Sequence, residues 1–211
     1  QGTLDLDFTK TLLDIGLADL ISIPDTQVVQ TFHSNFAVNV PPGFNVFNQT
    51  ETHTIDLPGV QLKKVRVFSG GIQLTVYNPL PTAVTFNVSL PGVSLNGITF
   101  QQTVTVAAGD NVNPTPGNAN FDLAGYEMDL RGPNAVDFNV LQASVTAVSD
   151  PNGPTVNVTP AQEFKVEATL KDIALDYARG YFGNQLFSDT VLLDLPIMEK
   201  VESGLVDIQS V

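Results

Sequence analysis

The chain has 211 residues, 43% of them hydrophobic and only 15% charged, with a formal net charge of −13 and no cysteine. That length can bury a core for one large β domain or two small ones, and the missing thiols exclude disulfides, cysteine-based metal sites and thiol catalysis. Its nine basic residues, of which only Lys63, Lys64 and Arg66 cluster, argue against a nucleic-acid or anionic-lipid partner.

Taken in chain order, residues 4–23 are the most helix-like. Leu12, Leu13, Leu17, Leu20 and Ile21 recur at near-helical spacing, and Pro24 would end the element. A short N-terminal helical segment is therefore expected over 1–26. A first β region is expected over 27–110 and a second over 111–211, as separate parts or as one continuous domain.

Val28 to Val40 reads as a strand through Phe32, Ser34, Phe36, Val38 and Val40, stopped by Pro41-Pro-Gly43. Phe47 to Leu57 is polar and Thr-rich, the pattern of a solvated strand. Leu62 to Tyr77 alternates in two registers around Gly70-Gly71, which predicts a hairpin turn or a bulge. Val84, Phe86, Val88 and Leu90 alternate against polar neighbours until Pro91-Gly92. Asn96-Gly97 between alternating runs is a strong hairpin signal.

Residues 108–120 are rich in Asn, Pro and Gly and read as a loop or boundary. Strands are expected over 121–130 and 136–148, around an Arg131-Gly-Pro-Asn134 turn. Phe164, Val166, Ala168 and Leu170 alternate, and the phase slips at Lys171-Asp172, which predicts a bulge. Val191–Leu195 and 204–211 read as further strands. The terminal alternation implies a longer parent chain or a strand donated to a partner. Turn signals every 8–14 residues point to a mainly β fold, an antiparallel sandwich or barrel-like sheets.

Chemistry-bearing motifs are few. A serine triad needs a histidine base, and His33 and His53 both sit in strand patterns without a Gly-x-Ser-x-Gly elbow. No phosphate-cradling glycine pattern occurs. The chain reads as a non-enzyme with no cofactor. Calcium is the one metal with candidate ligands: Asp110, Asn113 and Asp150 lie in Asx-rich turns, though neither turn fits an EF-hand loop. A ligand cavity, if present, would draw on inward aromatic positions, for which Phe86, Phe100, Phe138 and Phe164 are the candidates.

No run reaches the ~18 apolar residues of a membrane helix. No basic start precedes an apolar stretch, and Gln1 fits a mature N-terminus after signal cleavage or a trimmed one. Zero cysteine and high acidity suit export to a periplasm, outer membrane or cell surface.

Several phrases carry a family resemblance. They are Thr54-Ile-Asp-Leu-Pro58, Val65-Arg-Val-Phe-Ser-Gly-Gly-Ile-Gln-Leu-Thr-Val-Tyr-Asn-Pro-Leu-Pro81, Leu95-Asn-Gly97, Phe121-Asp-Leu-Ala-Gly-Tyr126 and Tyr177-Ala-Arg-Gly-Tyr-Phe-Gly183. In this combination the chain after residue 45 resembles a β-rich envelope or outer-membrane-associated protein family of Bacteroidetes-type bacteria. The Leu-x-Val-x-Asn-Pro-x-Pro phrase is also similar to the β-sandwich of late-embryogenesis-abundant type 2 domains. The resemblance implies export, surface association, other envelope or surface proteins as partners, and a role in an oligomer or larger assembly. It implies no catalytic residue. The function expected is a structural or interaction module of a bacterial envelope or surface assembly. The alternatives are a carrier of a lipid or other apolar ligand, and a calcium-dependent or carbohydrate-binding adhesion module.

Overall fold

The computed structural model describes residues 21–184, together with Leu17. Most of the expected N-terminal helix, the expected strand over 191–195 and the expected terminal strand fall outside the described residues.

Among the described residues, eleven strands follow one another: β1 (Thr26–Phe32), β2 (Val38–Val40), β3 (Asn45–Thr54), β4 (Gln61–Asn78), β5 (Val84–Leu95), β6 (Ile98–Val106), β7 (Thr115–Asp122), β8 (Glu127–Asp129), β9 (Val140–Ser149), β10 (Val156–Val158) and β11 (Phe164–Tyr181). The fold is mainly β. Nine strands make one antiparallel sheet in the order β1-β11-β4-β8-β5-β9-β3, with β6 on the free side of β5 and β7 beside β4. β2 and β10 pair separately.

The sheet curls because β8 bridges β4 and β5, pairing Val65 with Met128 and Met128 with Val93. This brings β3-β9-β5-β6 face to face with β7-β4-β11-β1 in a nearly closed barrel. Strands from 27–110 and from beyond 111 alternate within it, β9 lying between β5 and β3, and β11 between β1 and β4.

Alternation decides what is buried. Val84, Phe86, Val88 and Leu90 point inward, and Thr85, Asn87 and Ser89 outward. Phe47 meets Phe32, Phe86 and Phe164 with ring centroids 4.8, 6.3 and 5.2 Å apart. A second cluster is centred on Val65, Val93, Leu123 and Leu130, with Phe100 edge-on to Phe121 and Tyr126.

Several expectations about single elements need correction. The run Val28–Val40 is two strands, because the Ser34 hydroxyl bonds the backbone of Phe36 and turns the chain, leaving Phe36 exposed. Pro91-Gly92 does not end β5. The register slips between Leu90 and Ser94, and the strand runs on to Leu95. Residues 115–120 are strand, not loop, since they pair with β4. The Asn96-Gly97 hairpin is present, with φ of 51° and 80° at its two residues.

Gly70-Gly71 is not a hairpin turn, because β4 runs straight through it. Register slips instead in β11 between Lys171 and Ala174, opposite the glycines. Asp172 takes a φ of 54° there, and a Cβ on Gly70 (φ 112°) would lie 2.5 Å from the Asp172 carbonyl oxygen. The two features seen separately in the sequence are thus one bulge. Gly70→Ala is expected to destabilise the fold by about 1–3 kcal/mol in chemical denaturation, from a left-handed φ and a backbone clash.

Candidate functional site

Among the described residues the barrel fails to close along one seam. β1 pairs only with β11 and β3 only with β9 among the described residues, so one edge of each has no strand beside it. Between these edges lies a cleft of about 100 Å³. Its floor comes from both clusters of the core: Ile72, Leu74, Val88, Leu90, Phe100, Phe121, Leu141, Val145 and Val166. Its walls follow the strand period, with Thr26, Val28, Gln30 and Phe32 from β1, and Gln49, Glu51 and His53 from β3.

The register explains why polar residues face this cleft. Phe47, Gln49, Glu51 and His53 lie opposite Ala147, Val145, Ala143 and Leu141, the inward residues of β9. β3 therefore continues its core-facing phase with an amide, a carboxylate and an imidazole. Glu51 is half-buried and has no ion-pair partner among the described residues.

A second surface lies on the outward side of β6, β5, β9 and β3. Three transverse rows cross it: Thr105-Thr85-Val148-Asn45, Thr103-Asn87-Thr146-Asn48 and Gln101-Ser89-Ser144-Thr50. Gln142 and Thr52 add a partial fourth row. No member is charged. Neighbours bond within rows: Thr103 Oγ1 donates to Asn87 Oδ1 (3.0 Å), Thr146 Oγ1 to Asn48 Oδ1 (3.2 Å) and Thr50 Oγ1 to Ser144 Oγ (3.1 Å).

The anticipated cavity aromatics separate. Phe100 lines the cleft. Phe86 and Phe164 are fully buried core. Phe138 is half-buried on the loop before β9, with the Lys63 ammonium 5.3 Å from its ring centre. The cleft is smaller than the several hundred Å³ of ligand-sized pockets. Its β1 and β3 walls escaped sequence reasoning; the signal was a polar run in the same phase as Phe47.

Two of the anticipated calcium ligands, Asp110 and Asp150, cap their own turns. Asp110 Oδ1 accepts from the backbone N–H of Val112 (2.8 Å) and of Asn113 (2.7 Å). Asp150 Oδ1 accepts from that of Asn152 (2.9 Å). Such Asx turns need no ion. No group of three or more His, Asp or Glu suited to a metal occurs among the described residues. His33 is exposed in the β1–β2 loop, away from His53 in the cleft wall.

A shallower hollow lies beside β8, where Lys64 pairs with Glu127 (2.8 Å) and Arg131 with Asp129 (2.5 Å). The Arg131 hydrogen bond holds the Asp129 carboxyl below the usual aspartate range, against partial burial. Arg66 does the same for Asp176, and Lys165 for Glu167. A lowered folded-state value contributes stability above the unfolded value, about pH 4, that fades as pH falls through the folded one. Asp129→Asn is therefore expected to lower the melting temperature at pH 7, with the deficit shrinking as the pH falls below the unfolded value of about 4.

No family model matches the chain. No curated protein matches it either. Among solved structures, those of infectious bursal disease virus, strains Gx and Gt, align at 11% identity with TM-scores of 0.23 and 0.14. The alignments cover 72% and 74% of this chain, and the chain spans only 36% and 43% of theirs. At those scores the likeness carries no argument.

Proposed function

We propose that the protein is a non-enzymatic interaction module of a bacterial envelope or surface assembly, held to other proteins through its sheet surfaces. The observation that carries this reading is the charge-free face of β6, β5, β9 and β3. In a chain of net charge −13, the rows that cross these four neighbouring strands hold only Thr, Asn, Ser, Gln and one Val. Depletion of charge marks the centre of a protein interface, because a buried unpaired charge costs far more than a buried hydroxyl that finds a partner. Across four strands spaced by about 4.8 Å the face is roughly 19 Å wide. The setting rests on the family resemblance, and on acidity that keeps such a face soluble until it meets its partner.

The test introduces charge. Thr103→Lys with Thr146→Lys is expected to leave stability within about 1 kcal/mol, since both sites are on the surface. It should abolish the cross-links that the unaltered chain forms with other proteins in envelope extracts. An unaltered chain that sediments alone and forms no cross-links there would sink the reading.

A further inference from the structure

We propose that the cleft between β1 and β3 receives an extended segment of a partner protein, one that alternates apolar side chains and carries a basic residue where it passes Glu51. This deepens the interaction-module reading but uses a different surface, so the two fail separately.

Three features point to a strand as occupant. First, both walls are sheet edges. In an antiparallel strand, alternate residues direct N–H and C=O groups away from the paired neighbour. β1 and β3 each have one such unpaired side among the described residues. An inserted strand would satisfy these groups, as in β-augmentation; an alkyl chain would satisfy none.

Second, the cleft has a strand's repeat and scale. Thr26, Val28 and Gln30 line one wall at every second position, and Gln49, Glu51 and His53 the other. An added strand presents side chains at that same interval. A volume of about 100 Å³ over an apolar floor suits a few side chains rather than a whole lipid.

Third, charge selects the partner. Glu51 sits half-buried at an apolar slot without an ion-pair partner among the described residues, on a chain of net charge −13. A second copy of the chain meets repulsion, and so does an acidic segment. A lysine or arginine beside Glu51 gains a pair less screened than one on the open surface.

The experiment uses the full chain and labelled ten-residue peptides that alternate valine and threonine, flanked by lysine or by glutamate. A control has the lysine-flanked composition with its valines grouped. Fluorescence anisotropy should show saturable binding of the lysine-flanked alternating peptide, at least about tenfold tighter than either of the others. Glu51→Lys should reverse the flank preference while the melting temperature confirms folding. Amide exchange in β1 and β3 should slow when the peptide is added. Equal binding of the three peptides, or a flank preference unmoved by Glu51→Lys, would overturn the proposal. Absence of peptide binding would leave Glu51 as a guard that blunts an edge. Saturable binding of dodecanol in the cleft without peptide binding would replace the strand by an apolar ligand.

Discussion

Replacing Phe86 by alanine is expected to cost about 3–5 kcal/mol, a large part of the 5–15 kcal/mol that holds a typical domain together. Phe86 lies in β5, a strand paired on both sides, by β6 and β9, and its side chain is fully buried. Its ring is edge-on to Phe47, which also packs on Phe32 and Phe164. Truncation removes transfer free energy and an aromatic contact, and it leaves a void that strands tied on both sides cannot collapse to fill. Phe138→Ala is the informative contrast. That ring is half-buried, and Lys63 over its face is worth about 0.5–1 kcal/mol at such a site. Urea midpoints of the two variants should differ severalfold in their shift from the unaltered chain. Similar shifts would mean that Phe86 lies in a loosely filled cavity.

That contrast also shows how far the sequence was legible. Alternation identified strands and their buried phase wherever one side was apolar, as from Val84 to Leu90. It does not reveal which face of a polar strand turns inward, because both faces have the same period. For β3 the answer lies in β9, roughly ninety residues away, whose Val145, Ala143 and Leu141 sit opposite Gln49, Glu51 and His53. The cleft was invisible for that reason, although Phe47 marked the phase. The breakers misled for a related reason. Pro91-Gly92 reads locally as a stop, yet β5 uses it as a bulge where Gly92 packs against the Asp129 carbonyl, a contact that only the folded sheet creates. Asx-rich turns offer side-chain oxygens of the kind a calcium ion takes, and here one oxygen each of Asp110 and Asp150 accepts from backbone N–H groups of its own loop.

The residue 131–139 loop depends on one side chain to a comparable degree. Asn139 is buried with a φ of 58° and joins this loop to the start of β4. Its Oδ1 accepts from the Leu62 N–H (2.7 Å), and its Nδ2 donates to the Val60 carbonyl (2.7 Å). Its own N–H donates to the Leu62 carbonyl (3.1 Å), and its carbonyl accepts from the Ile55 N–H (2.7 Å). Asn139→Ala orphans two backbone groups at about 1–3 kcal/mol each and loses asparagine's better tolerance of the left-handed conformation, for about 1 kcal/mol more. A total loss of about 3–7 kcal/mol is expected. Asn139→Gly separates the parts: it relieves the backbone term and keeps the orphaned groups, so it should recover only about 1 kcal/mol. Because Ile55 and Leu141 line the cleft on either side of this clasp, amide exchange at Ile55 and Leu62 should rise in both variants before the rest of the sheet opens. Full recovery by glycine would show that backbone strain, not the amide clasp, is what Asn139 relieves.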